Sequence, residues 1–70
     1  MSAKVSYEKL YRLMDKKGES FASLVRKKVL KDFSSRSIKA GNPVNIKHVA
    51  NVCEYFGVPI EEVVEVIIED

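Results

Sequence analysis

The sequence predicts an all-α protein, a compact four- to five-helix bundle forming a single domain over residues 1–70. Apolar residues recur at close to 3.6-residue spacing in several short windows, the mark of amphipathic helices with one buried face. Serine or asparagine precedes these windows, and Gly18, Gly41 and Gly57 follow them, as helix caps do. Seventy residues bury only about 60% of their unfolded surface, so the core is small and leaves no room for a large pocket.

Residues 1 to 5 read as a frayed terminus. Ser6 is placed to cap a first helix over about 7–17, in which Tyr7, Leu10, Leu13, Met14 and Lys17 form the stripe and Gly18 the stop. Tyr11 falls beside that stripe and suits the rim of a core. Ser20 opens a second helix over about 21–29 or 30, with Phe21, Leu24 and Val25 inward. Its polar side carries Arg26-Lys27-Lys28, and Lys31 follows. Three consecutive cations span about 200° of helix, so they do not converge on one ligand. Asp32 and Ser34 supply acceptors for a turn between Val29 and Phe33.

A short third helix over 35–40 is closed by Gly41-Asn42-Pro43. Asn45 caps a fourth over about 46–56, with Ile46, Val49, Val52 or Cys53, and Phe56 inward. Pro59 suits the first turn of a fifth, whose Ile60, Val63, Val64 and Ile67 are expected in the core. The run Val63-Val64-Glu65-Val66-Ile67-Ile68 is rich in β-branched residues, which pack well in strands and poorly on exposed helix. Val66 and Ile68 exceed what so small a core accommodates. Residues 58–70 are therefore a candidate dimerisation segment, and a homodimer through them, by helix packing or strand pairing, is expected.

The net charge of +2 conceals an asymmetry: residues 1–50 carry +8 and residues 51–70 carry −6. A basic body with an acidic end suggests a polyanion-binding face at one side, although a solvated helix surface gives the same count. No apolar run reaches membrane-spanning length and no secretory leader opens the chain, so a cytoplasmic, membrane-free protein is expected. Cys53 has no partner for an internal disulfide and reads as a core thiol.

The stretch from Phe33 to Gly41 is the one the rest of the chain serves. Phe33 and Ile38 anchor a short helix while Ser35, Arg36 and Lys39 face outward, a presentation suited to the major groove of DNA.

From Tyr7 to Ile67 the order and punctuation of the chain resemble the phage Cro and repressor type of helix-turn-helix domain, the XRE or lambda-repressor-like family of bacterial, archaeal and viral regulators. The resemblance lies in Ser20-x-x-x-Leu24, in Phe33-Ser34-Ser35-Arg36-Ser37-Ile38, and in Asn45 through Cys53-x-x-Phe56-Gly57-Val58. It implies that the helix from Ser35 is the recognition helix. Ser34 then caps it, Ser35 and Arg36 meet base edges, Ser37 and Lys39 meet bases or phosphates, and Ser20 with the following amides touches the DNA backbone. The link from Leu24 to Phe33 is about three residues longer than the family's, and Phe21 stands where many members carry glutamine. An ungapped register would put Leu30 in Phe33's place and shift each base contact by three. The gapped one keeps Ile38 inside and Arg36 outside.

Arg36 is the best base reader, because a guanidinium can grip guanine O6 and N7 together, worth about 1–3 kcal/mol of discrimination. Ser35 and Ser37 read weakly. Lys27, Lys28, Lys31, Lys39 and Lys47 would neutralise phosphates, and Asn42 and Asn45 could hydrogen-bond them, though Asn45 also serves as a plain cap.

Enzyme chemistry finds no support, and no cofactor, metal or small-molecule substrate is expected. His48 and Cys53 lie five residues apart, about 140° around a helix, which removes a shared metal or nucleophile geometry. The sequence thus points to a sequence-specific, double-stranded-DNA-binding transcriptional regulator that inserts helix 35–40 into the major groove. With no second domain in view, a repressor that blocks polymerase is the simplest form. A protein-interaction module on the same fold, such as an antirepressor, antitoxin or adaptor, is the alternative. Convergence of Arg26, Lys27, Lys31, Arg36 and Lys39 on one face would favour DNA.

Overall fold

A computed structural model describes residues 2–69; Met1 and Asp70, the end of the expected dimerisation segment, lie outside the described residues. The chain runs as strand β1 (Ser2–Ser6), helices α1 (Glu8–Lys17), α2 (Phe21–Arg26), α3 (Asp32–Lys39) and α4 (Ile46–Phe56), one 3-10 turn (Ile60–Glu62), and strand β2 (Glu65–Glu69). The domain is mostly helical but not all-α, because its two ends pair as an antiparallel ribbon with Ser2 opposite Glu69 and Ser6 opposite Glu65. No helix among the described residues is long and apolar enough to cross a membrane.

The ribbon corrects two expectations. Residues 2–6 are not frayed, since β2 supplies their backbone partners. The fifth helix is replaced by the 3-10 turn and β2, as the β-branched run favours. Val63 is buried, whereas Ile60 is exposed and Ile67 sits at the margin of exposure. Lys4 and Glu69 pair across the ribbon at 3.0 Å, so acidic tail and basic start share one surface.

The core comprises Tyr7, Leu10, Met14, Phe21, Leu24, Leu30, Ile38, Val49, Val52 and Val63. Leu13, Cys53 and Phe56 are half-buried, and Ile46, expected inside, is exposed on the first turn of α4. The phenol of buried Tyr7 donates to the Asn42 carbonyl at 2.7 Å, tying α1 to the loop after α3. Burial raises its pKa, and likewise that of the Cys53 thiol.

Helix ends explain the element boundaries. Ser20 accepts from the Ser23 amide at 3.1 Å and Ser23 Oγ accepts from the Ser20 amide at 2.9 Å, a reciprocal cap. Asn45 caps α4 by accepting from the Lys47 amide at 2.8 Å. All four helices stop on the same paired hydrogen bonds around a left-handed residue; that residue is glycine after α1, α3 and α4. After α2 it is Lys28, at φ 63°. Val29 N–H reaches Leu24 O at 2.9 Å and Lys28 N–H reaches Val25 O at 3.0 Å, closing α2 at Arg26 rather than at 29 or 30.

Candidate nucleic-acid interface

The early stop of α2 sets the register of α3. The turn spans Lys27–Leu30, and α3 starts at Asp32 instead of Ser35. Leu30 is 3% exposed and fills the core place assigned to Phe33, which is 59% exposed. The ungapped register therefore holds. It keeps Ile38 buried and Arg36 exposed as well, because Ile38 stands about one turn beyond buried Ser34 on the same face of α3 and Arg36 about 200° around from it.

Two residues lose their expected roles as a result. Ser34 is not a cap but a buried residue inside α3, its Oγ 2.6 Å from Nδ1 of His48. That position removes it from the DNA-backbone set. Ser35 is also buried, its hydroxyl donating to Asp32 O at 2.9 Å, so it presents nothing to a base edge. Lys31 takes the N-cap position without a side-chain cap bond.

The exposed side of α3 is formed by Asp32, Phe33, Arg36 and Lys39, with Ser37 half-buried. Arg36 Nη2 lies 2.5 Å from Asp32 Oδ2, an i,i+4 pair that holds the guanidinium along the helix. Phe33 packs edge-on against the His48 ring, centroids 5.6 Å apart. A shallow cleft of about 360 Å³ separates α2 from α3, lined by Phe21, Ala22, Val25, Arg26, Asp32, Ser35 and Lys39. Lys39 Nζ stands 5.4 Å from the Phe21 ring centre, which places it beside Arg26 at this cleft.

The remaining cations point elsewhere. Lys27 donates to Glu19 Oε2 at 2.9 Å and to the Tyr55 hydroxyl at 3.0 Å, bracing α2 against the end of α4. Glu19 also accepts from Ser23 Oγ and from Tyr55 at 2.5 Å each. The Ser23, Tyr55 and Lys27 bonds together pull the Glu19 pKa down to about 2, while the Tyr55 and Glu19 bonds push that of Lys27 up. Lys28 borders a second depression with Asn51, Glu54 and Tyr55. The five cations named from sequence thus divide: Arg26, Arg36 and Lys39 gather around α3, and Lys27 does not. Lys31 is exposed before the first turn of α3, Lys47 on the first turn of α4, and Asn42 between those helices. Ser20 and Asn45 spend their side chains on caps.

Sequence reasoning missed Phe33 as a surface residue. The signal available was Leu30, whose place in the ungapped register turns Phe33 outward. Among the described residues no group of three or more His, Cys, Asp or Glu is placed to hold a metal.

No protein-family model matches the sequence, and no curated protein matches it. The fold is shared with a solved regulator. The crystal structure of the transcriptional regulator VanUg, form II, superposes with a TM-score of 0.88 at 19% sequence identity, covering 99% of this chain and 92% of that one. At that identity the likeness establishes the fold.

Proposed function

We propose that the chain is a DNA-binding transcriptional regulator that presents α3 to the major groove. The observation that carries this reading is the outward face of α3, where Arg36 and Lys39 are exposed and Lys39 shares a cleft with Arg26, while Ser34, Ser35 and Ile38 are buried. The shared architecture with VanUg, a transcriptional regulator, supports it. In the ungapped register Phe33 takes the place first given to Arg36, and Arg36 takes that given to Lys39, from which it is the principal base reader. Arg26, Lys31 and Lys39 neutralise flanking phosphates, with Lys47 and Asn42 at the rim. In its simplest action the protein is a repressor that occludes polymerase.

A homodimer through residues 58–70 belongs to the same proposal. Ala3 pairs with Ile68 and Val5 with Val66, which places these four on one face of the ribbon, and Val66 and Ile68 are 62% and 59% exposed. Face-to-face packing of two ribbons covers them. Antiparallel edge pairing of β2 about Ile67 would instead set Glu65 against Glu69 of the second copy. The same apolar face favours the alternative of a protein-interaction module that docks a different protein there.

Fluorescence anisotropy on a random-sequence duplex across a salt series tests the reading. Three to five phosphate contacts per subunit predict a slope of log affinity against log salt of about −2.7 to −4.5. Arg36→Ala weakens binding and Lys27→Ala leaves it nearly unchanged. No binding at low salt contradicts the proposal.

A further inference from the structure

Resting on the DNA-binding reading of α3, we infer that Phe33 is a specificity-determining residue that packs on the C5-methyl group of thymine next to the base gripped by Arg36. Phe33 is the second residue of α3, in the N-terminal turn that a recognition helix turns toward base edges. Three residues separate it from Arg36, so the two side chains stand about 60° apart on one helix face, one turn from each other. The ring is also held in place. It meets the His48 ring edge-on at 5.6 Å, and His48 is tethered through Nδ1 to the buried Ser34 hydroxyl at 2.6 Å. A large apolar side chain held outward at 59% exposure carries an unfavourable hydration free energy that covering it relieves.

Charge complementarity selects what does so. Lys31, Arg36 and Lys39 lie within two turns of Phe33 on or beside the same helix, with Asp32 the one acid among them and already paired with Arg36. A polyanion that offers apolar groups between its phosphates fits that surface. In the major groove the apolar group is the thymine methyl, which no other base of DNA carries there. Arg36 on guanine and Phe33 on thymine together predict a site with a T next to a G.

The test begins with selection of duplexes from a random library by the full chain. Each thymine of the selected site is then replaced singly by deoxyuridine, which removes the methyl and leaves the hydrogen bonds. The expected result is one position where deoxyuridine weakens wild-type binding about three- to fivefold, the loss of one buried methyl. Phe33→Ala should bind the thymine site more weakly and become indifferent to the replacement, and Phe33→Leu should restore part of the difference. Unchanged melting of the variants shows that the fold is intact. Tolerance of deoxyuridine at every position, or a penalty undiminished in Phe33→Ala, overturns the inference while leaving the DNA-binding reading in place. Failure to enrich any duplex overturns that reading itself, and the inference with it.

Discussion

Ser34 Oγ and His48 Nδ1 share a hydrogen bond of 2.6 Å that joins α3 to α4 beneath the exposed face of α3. The serine is fully buried, so the imidazole is its means of satisfying a hydroxyl removed from water. The bond also orients the ring on which Phe33 leans.

Ser34→Ala should therefore lower stability by about 1–2 kcal/mol, because Nδ1 loses its partner at a partly buried position. Denaturant unfolding measures the loss. Phe33 ring resonances should broaden or move in the same variant.

Leu30 and Phe33 make opposite predictions in the two registers. With Leu30 in the core and Phe33 outside, Leu30→Ala should cost about 2–4 kcal/mol and Phe33→Ala less than about 1 kcal/mol. A reversed order in urea unfolding would restore the register in which Phe33 anchors the helix.

Lys28 occupies the left-handed conformation that glycine fills at the other three helix ends. Relief of that backbone cost, about 1–2 kcal/mol, is partly offset by the greater freedom of glycine in the unfolded chain. Lys28→Gly is expected to raise the thermal midpoint by a few degrees in a scanning calorimeter. Lys28→Val should lower it.

Glu19 contributes a pH dependence of defined sign. Its folded pKa of about 2 lies below its ordinary value of 4.5, so the unfolded chain takes up its proton first as pH falls. The stabilisation is complete above about pH 4.5 and is lost between there and about pH 2. Melting temperatures recorded across that window should fall less steeply for Glu19→Gln than for the wild type.

Much of the architecture was legible because most helix ends carry their own chemistry. Ser20, Asn45, Gly18, Gly41 and Gly57 mark boundaries that the structure keeps, and α4 spans the expected Ile46–Phe56. Where the chemistry is absent, the reading slipped. Lys28 stands where glycine would have announced the end of α2, and the error propagated into α3, misplacing Phe33, Ser34 and Ser35 by about a turn. The β-branched run at 63–68 signalled a strand, but its partner was hidden in the unremarkable Ser2–Ser6, since pairing between distant segments leaves no local mark. Of the candidate interface, Arg36 and Lys39 were legible as exposed cations. The commitment of Lys27 to Glu19 and Tyr55 required the packing of α2 against α4.

The most direct test of α3 as the reading helix is a two-dimensional 15N–1H NMR titration of the full chain with a duplex at low salt. The account predicts that amide shifts concentrate on residues 31–39 and Arg26, with the Glu19–Lys27–Tyr55 cluster little affected. Perturbations confined to β1 and β2, with α3 unmoved, would contradict it.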